Sequence, residues 1–428
     1  MKIFPVPLFA LALSMLMPDP VLADSKFAIP ETDDGLPGDG PIRRYGWFKN
    51  LWERKRSGWA KKVEQDQRAL VFLGDSITQG WGSNMGNSFP ELKVANRGIS
   101  GDTTRGVLIR MQGDVLALNP KGVVILIGTN DLEENASPEV IAGNLKLIIA
   151  KLKKHNPKMP IILCNTFPSS ASKRRPADKI KDMNKLYFAA VKGDPQVTVL
   201  DTWLLFADDK GDAKKPEFPD LLHPNKLGYA KWASALRPLL ATHGFIETKP
   251  DDFSMEPGFV SLFNGKDLTG WGFREKKTLK PLASFDGKKA SDDARYRVIN
   301  GRLVVTTPPE GRRIQQLWTS REFPKDFTLK LEFRATPNAD SGVFIRKPQL
   351  QCRDYILAGP WKTLEKYKPQ EWNEIIAVVK GGVAHCTCNG EVLNQEFKVP
   401  ATGPIGLEGD RGQMEYRRIR IKTNQISE

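Results

Sequence analysis

The spacing of apolar residues changes character near residue 244. Before it, short β-rich stretches at 69–74, 93–95, 122–127, 160–164 and 197–200 alternate with helically spaced ones at 103–118, 138–155, 178–191 and 224–242. Strand–helix alternation of this kind predicts a parallel sheet with helices on both faces. Ahead of it, 45–67 reads as a basic helix with Trp47, Phe48, Leu51, Trp52 and Trp59 as its apolar stripe. Beyond the polar, Pro-containing stretch 247–257 the helical period vanishes. Alternating segments take over at 302–307, 327–334, 342–346, 374–380, 383–388 and 416–422, with Asn300-Gly301 and Asn389-Gly390 as turns. That half predicts an antiparallel β-sandwich.

The ends of the chain and its charge refine this division. Lys2, the apolar run 8–17 and Val21-Leu22-Ala23 read as an export signal over 1–23, cut after Ala23. The run is too short to span a bilayer, so the expectation is an exported protein, periplasmic or extracellular, with no transmembrane span. A Pro/Gly/Asp-rich lead over 24–42 is expected to be disordered. An α/β domain over 43–245, a linker over 246–257 and a sandwich over 258–425 follow.

The formal charge of +14 makes nucleic acid or an anionic polysaccharide conceivable partners. Half of the excess lies between Arg43 and Lys62, where the only acid is Glu53. That segment is expected to be a solvated helix face with Trp47, Trp52 and Trp59 turned onto the domain. The sharper expectation is a face that holds an anionic or sulfated polysaccharide near Ser76. Four cysteines are too few for a disulfide scaffold. Cys386 and Cys388 alternate on one strand face, and either is available to pair with Cys352 in an oxidising compartment.

The first β-rich run leads into Gly74-Asp75-Ser76. A serine where a buried strand turns into a helix stands at the carboxyl edge of the sheet, where open α/β folds place their sites. Ser76 alone reads equally as a helix cap or as a nucleophile. Asn96-Arg97-Gly98 and Gly128-Thr129-Asn130-Asp131 bring small residues and polar donors to the same edge, and Asp220 stands three residues before His223. A carboxylate so placed orients the ring while its other nitrogen faces the serine. His155 ends a Lys-rich helix, His243 approaches the linker and His385 lies in the other half, so none of these has a nucleophile to serve.

Taken together, these four blocks resemble the SGNH (GDSL) hydrolases over 69–240. Asn96 to Arg105 is most similar to the branch holding the catalytic subunits of platelet-activating-factor acetylhydrolase. The resemblance implies a flavodoxin-like parallel sheet and a serine esterase. Ser76 is then the nucleophile, His223 the general base and acid, and Asp220 its partner. The amides of Ser76 and Gly98 and the Asn130 side chain form the oxyanion hole. Asp75 holds the turn, and Asp102 and Asp131 are structural acids. The family works without a metal, so neither metal nor cofactor is expected.

Phe259 to Trp271, Ser341 to Arg346, Glu371-Trp372-Asn373 and Gly403 to Glu408 resemble a 3-keto-disaccharide hydrolase-like domain, a concanavalin-like sandwich. Gln351-Cys352-Arg353-Asp354-Tyr355 departs from the pattern of that family, so a glycan-binding or spacing role stands at least level with hydrolysis. Trp271, Trp318, Trp361 and Trp372 are candidate stacking surfaces for sugars, the alternative for each being a place in the core. Arg346, with Asp340, Asp354 and Glu408, is a candidate contact by position.

The substrate expected is an acylated carbohydrate or other small ester, the acyl group being acetyl above all. The alternatives are a phospholipid acetylhydrolase, or a glycan-binding or keto-glycoside-cleaving protein with an accessory esterase. Neither half resembles a nucleic-acid module.

Overall fold

In a computed structural model of the chain, residues 26–192, 194–246, 253–305, 314–337, 339–354, 359–410 and 412–423 are described. The expected signal segment and the middle of the linker lie outside the described residues.

Five parallel strands, β1 (Leu70–Gly74), β2 (Val94–Gly98), β3 (Gly122–Leu126), β4 (Ile161–Cys164) and β5 (Val197–Leu200), stand in the order β2-β1-β3-β4-β5. That is the flavodoxin-like order, with its switch point between β1 and β3. Strand residues alternate between two buried layers, as a two-residue period requires. Val71, Leu73, Val123 and Ile125 meet α3 (Thr104–Asp114), α5 (Pro138–His155) and α6 (Ala177–Val191) on one face. Leu70, Phe72, Val124 and Leu126 meet α8 (Lys226–Thr242) on the other. The last helix begins two residues after Pro224, because the Asn225 side chain caps it by accepting from the Gly228 amide at 3.1 Å.

The basic helix, α1 (Gly46–Ala60), is shorter than its charge pattern suggested. Its buried stripe is Phe48, Trp52 and Arg56, four residues apart, with Arg56 paired to Asp114 at 3.1 Å. Trp59 is half-buried beside Arg97 and Arg110. Trp47 lies one residue, or about 100°, off that stripe, and its side chain is 54% exposed rather than turned onto the domain.

The lead is ordered where it is described. Ile29 packs under Phe48 and Trp52, Arg105 donates to Asp33 at 2.5 Å and to the Gly40 carbonyl, and Thr103 donates to the Pro41 carbonyl. Buried apolar area and charged anchors outweigh its Pro/Gly/Asp content.

The second half holds an eight-stranded and a six-stranded antiparallel sheet packed over one core. Strands at Trp271–Arg274, Pro281–Ser284, Gln349–Arg353 and Glu391–Lys398 add to those read from alternation. All four cysteines are free and buried. The sandwich docks on the amino edge of the parallel sheet. There Arg297 donates to the carbonyl of Val197, the first residue of β5, and Arg334 reaches both Glu415 at 2.6 Å and the Pro238 carbonyl near the end of α8. The opposite, carboxyl edge stays open.

Candidate active site

At that open edge, Asp75 caps α2 (Ser76–Gly80) by accepting from the Ile77 amide at 2.9 Å. Burial pushes its carboxyl up to about 7, against the pull of the Ile77 amide and Arg175. Ser76 is the first residue of α2, where an amide has no intrahelical acceptor and the helix end carries partial positive charge. Its hydroxyl is thereby lifted into solvent beside a donor-rich helix end.

His223 Nε2 lies 3.0 Å from Ser76 Oγ, and His223 Nδ1 lies 2.7 Å from Asp220 Oδ2. The other carboxylate oxygen accepts from the Leu222 amide at 3.0 Å and the His223 amide at 2.7 Å. Burial alone raises an acid, but the His223 amide and ring and the Leu222 amide outweigh it and hold Asp220 below its ordinary value. The turn that makes this possible is strained: Leu221 has φ +62, a left-handed conformation that costs a branched residue about 1–2 kcal/mol. Ser169 Oγ donates to the Leu221 carbonyl at 2.8 Å and fixes it. With the carboxylate holding Nδ1 as donor, Nε2 is left to take a proton from Oγ.

The donor set departs from expectation at Gly98. Its amide donates to Asn96 Oδ1 at 2.9 Å, and it does not line the cavity that holds Ser76. Gly98 is glycine for packing, since a Cβ there meets the Gln79 nitrogen at 2.3 Å and the Asp75 carbonyl oxygen at 2.7 Å. The glycine on the cavity wall is Gly101, with φ +88 and no acceptor for its amide among the described residues. Its signal in the sequence was present, as the second glycine of Asn96-Arg97-Gly98-Ile99-Ser100-Gly101. Asn130 is on the wall as expected. Its Nδ2 donates to the Asp102 carbonyl at 2.9 Å while its Oδ1 accepts from Arg175 at 3.0 Å, which leaves one Nδ2 hydrogen for a ligand. Arg175, absent from the sequence reading, also donates to the Thr129 carbonyl at 3.0 Å. Asp102 and Asp131 are buried braces, on Arg110 at 2.7 Å and on Thr104 at 2.5 Å.

The cavity measures about 320 Å³. Besides Ser76, His223, Asn130, Ser100 and Gly101, its walls come from the loop at 172–175 and from Arg43 and Trp47 at the start of α1. Among the described residues, no three His, Cys, Asp or Glu side chains converge as metal ligands do, and no helix is long and apolar enough to cross a membrane.

In the sandwich the structure buries or pairs the aromatic and arginine candidates, while Asp340, Asp354 and Glu408 fall near one another at the ends of neighbouring strands. Trp271 and Trp318 are buried, and Trp271 Nε1 donates to the Leu262 carbonyl at 2.7 Å. Trp361 packs edge-on against Phe333 and Tyr367 in the core. Trp372 is half-buried under the guanidinium groups of Arg417, 4.1 Å from its ring centre, and Arg334, at 4.6 Å. Arg346 is 1% exposed and donates to the carbonyls of Phe323, Lys325, Gly381 and Pro400. Core packing takes up Trp271, Trp318 and Trp361 and carbonyl pairing takes up Arg346, so these four lack the free face expected of a glycan contact, and Trp372 carries arginines over its ring. Glu408 accepts from Gln316 at 3.0 Å and Gln349 at 2.6 Å, and burial pushes its carboxyl up. Asp354 accepts from Tyr367 and Gln370, and Asp340 lies 3.7 Å from Arg353.

Comparison with known proteins gives two family matches. Residues 72–231 match the GDSL-like lipase/acylhydrolase family and residues 258–422 the 3-keto-alpha-glucoside-1,2-lyase-like domain. The chain is 31% identical over 178 residues to platelet-activating factor acetylhydrolase IB subunit alpha1 of Rattus norvegicus, covering 40% of this chain and 74% of that protein. It is 27% identical over 228 residues to the alpha2 subunit of Homo sapiens, covering 53% and 93%. A GDSL-like lipase structure from Bacteroides thetaiotaomicron aligns with a TM-score of 0.39 at 25% identity, covering 45% of this chain and 96% of its own.

Proposed function

Since the chain belongs, through its α/β domain, to the GDSL-like lipase/acylhydrolase family and is an ester-bond hydrolase, we propose that it is an exported serine esterase that removes short acyl groups, acetyl above all, from a carbohydrate. Ser76, His223 and Asp220 carry the reaction. Ser76 Oγ bonds to the ester carbonyl carbon as its proton passes to His223 Nε2. The carbonyl oxygen becomes an oxyanion facing the Ser76 and Gly101 amides and the free Asn130 hydrogen. The C–O bond to the alcohol then breaks, and the imidazolium returns the proton to the leaving alkoxide. Water repeats the cycle on the acyl-serine, with His223 again taking and giving one proton. Asp220 stays ionised and holds the ring in the tautomer that leaves Nε2 free.

The observation that carries this reading is the unbroken hydrogen-bond chain Asp220–His223–Ser76 at the rim of a donor-lined cavity. The carbohydrate is favoured by the fused domain, whose family description names a glucoside. Export is favoured by the pattern over 1–23. A second reading, a phospholipid acetylhydrolase, is favoured by the likeness to the platelet-activating factor enzymes. Acetate release from acetylated xylan, acetylated pectin and a short-chain phospholipid separates the two. The proposal expects release from a glycan, and release from the phospholipid alone would overturn its carbohydrate part.

A further inference from the structure

The walls of the Ser76 cavity carry more positive charge than their own hydrogen bonds use. Arg43, Lys173, Arg174 and Arg175 line it against a single carboxylate, Glu133. Glu133 is shared by Arg43 at 2.5 Å, Arg175 at 2.6 Å and Arg174 at 3.2 Å, while Arg43 is also neutralised from behind by Glu134 at 2.7 Å. Burial pushes the Glu133 carboxyl up, but these guanidinium groups bring it down to about 2, so it remains an anion at any working pH. Lys173 pairs with no carboxylate among the described residues. Arg174 keeps a side chain 64% exposed, and its backbone φ of +58 turns it outward in a conformation non-glycine residues seldom take. Strain of this kind gathers at ligand-contacting loops.

The same cavity is lined by Trp47, which precedes the residues matched to the hydrolase family. It is held by Tyr45, stacked at 6.4 Å, and by Phe48, edge-on at 5.6 Å. Its far edge rests over Gly101, where an added Cβ would meet Trp47 at 2.7 Å and Arg43 at 3.1 Å. A large ring left 54% exposed on the wall of the cavity that holds Ser76 is a surface for a ligand. Only Trp47 and Leu222 among the wall side chains are apolar, so a long acyl chain finds no trough there.

Building on the esterase reading above, we propose that this cavity selects acyl esters of acidic sugars, with the sugar ring against Trp47 and its carboxylate or sulfate held by Lys173 and Arg174. The cationic contact thus lies mainly on the 173–174 loop; α1 contributes the Trp47 ring, and the segment before it Arg43, rather than the whole basic face of the helix.

Three O-acetylated polymers on one backbone test this with the full chain: dextran, carboxymethyl-dextran and dextran sulfate. p-Nitrophenyl acetate serves as the uncharged reference. At low salt the expected kcat/KM per acetyl group is roughly tenfold or more higher on an anionic polymer than on dextran. The carboxymethyl and sulfate arms tell which anion is preferred. The anionic-to-neutral ratio should fall toward one at 0.5 M salt, where screening length is about 4 Å, and likewise in the double variant Lys173→Glu, Arg174→Glu. Trp47→Ala should lower kcat/KM on all three polymers relative to p-nitrophenyl acetate. Equal rates on the three polymers, or a preference that survives the double variant, would overturn this proposal alone. Failure of the wild type to hydrolyse p-nitrophenyl acetate would overturn the esterase reading and this proposal with it.

Discussion

At the carboxyl edge of the parallel sheet, His223 and Asp220 keep side chains 43% and 44% exposed, and their polar atoms face one another and Ser76. In the sandwich, Arg346 is chemically as capable, yet it is buried and its guanidinium donates to four backbone carbonyls. The two regions use similar residue types to opposite ends. In the first, strained or capped turns present polar groups at the sheet edge, such as Leu221 at φ +62 and Asp75 over Ile77. In the second, polar groups close loops onto strands. What marks a site here is polar capacity left unused by the fold, and residue type alone does not reveal it.

Four substitutions sharpen that contrast. Ser76→Ala should lower p-nitrophenyl acetate hydrolysis by about 10⁴-fold or more while circular dichroism stays unchanged. A residual rate near wild type would erase the distinction between the two regions. Arg175→Met removes the donor to Asn130 Oδ1 and the Thr129 carbonyl. It should lower kcat about 10- to 100-fold with a smaller change in KM, since Arg175 holds Asn130 in place and the anion contact is proposed for Lys173 and Arg174. A purely structural Arg175 would lower only the melting temperature.

Arg346→Ala should do the reverse. It leaves four carbonyls without their donor and should destabilise the sandwich by about 2–4 kcal/mol in urea unfolding, while ester hydrolysis per folded molecule is retained. Asp75→Asn has the smallest effect. The Asp75 carboxyl stays protonated in the fold up to about 7, whereas its ordinary value is 3.8. The folded state therefore holds the extra proton in between, and stability falls as pH rises through that window. The asparagine variant should show a flatter dependence of unfolding midpoint on pH between about 4 and 7. An unchanged slope would show that the acid is not proton-laden in the fold.

How legible this was depended on how local the cause is. The five parallel strands, their helices and the Asp220–His223 spacing follow from periodicity and turn chemistry within a few residues. The identity of the cavity glycine did not, because Gly98 and Gly101 lie in one motif and differ only in what approaches them: the α2 backbone in one case, Trp47 and Arg43 in the other. Arg175 was missed since its role depends on a contact 45 residues away with Asn130. Trp47 belongs by residue type to the apolar stripe of α1, yet Phe48, Trp52 and Arg56 fill its buried face. The lead looked disordered by composition, but Arg44 and Arg105 clamp Asp33, and neither pairing is visible in a local window. In the sandwich, alternation finds most of the long strands but passes over Glu391–Lys398, whose residues are mostly exposed, and short ones such as Leu317–Thr319, too brief to show a period.

The reading turns on Ser76 as the nucleophile of an esterase built on the open edge of the α/β sheet. Treating the full chain with a fluorophosphonate and locating the adduct by peptide mass spectrometry tests it most directly. The account predicts one adduct, on Ser76, in step with loss of ester hydrolysis and absent from His223→Ala. An adduct on another residue that abolishes activity, or complete inactivation with Ser76 unmodified, would contradict it.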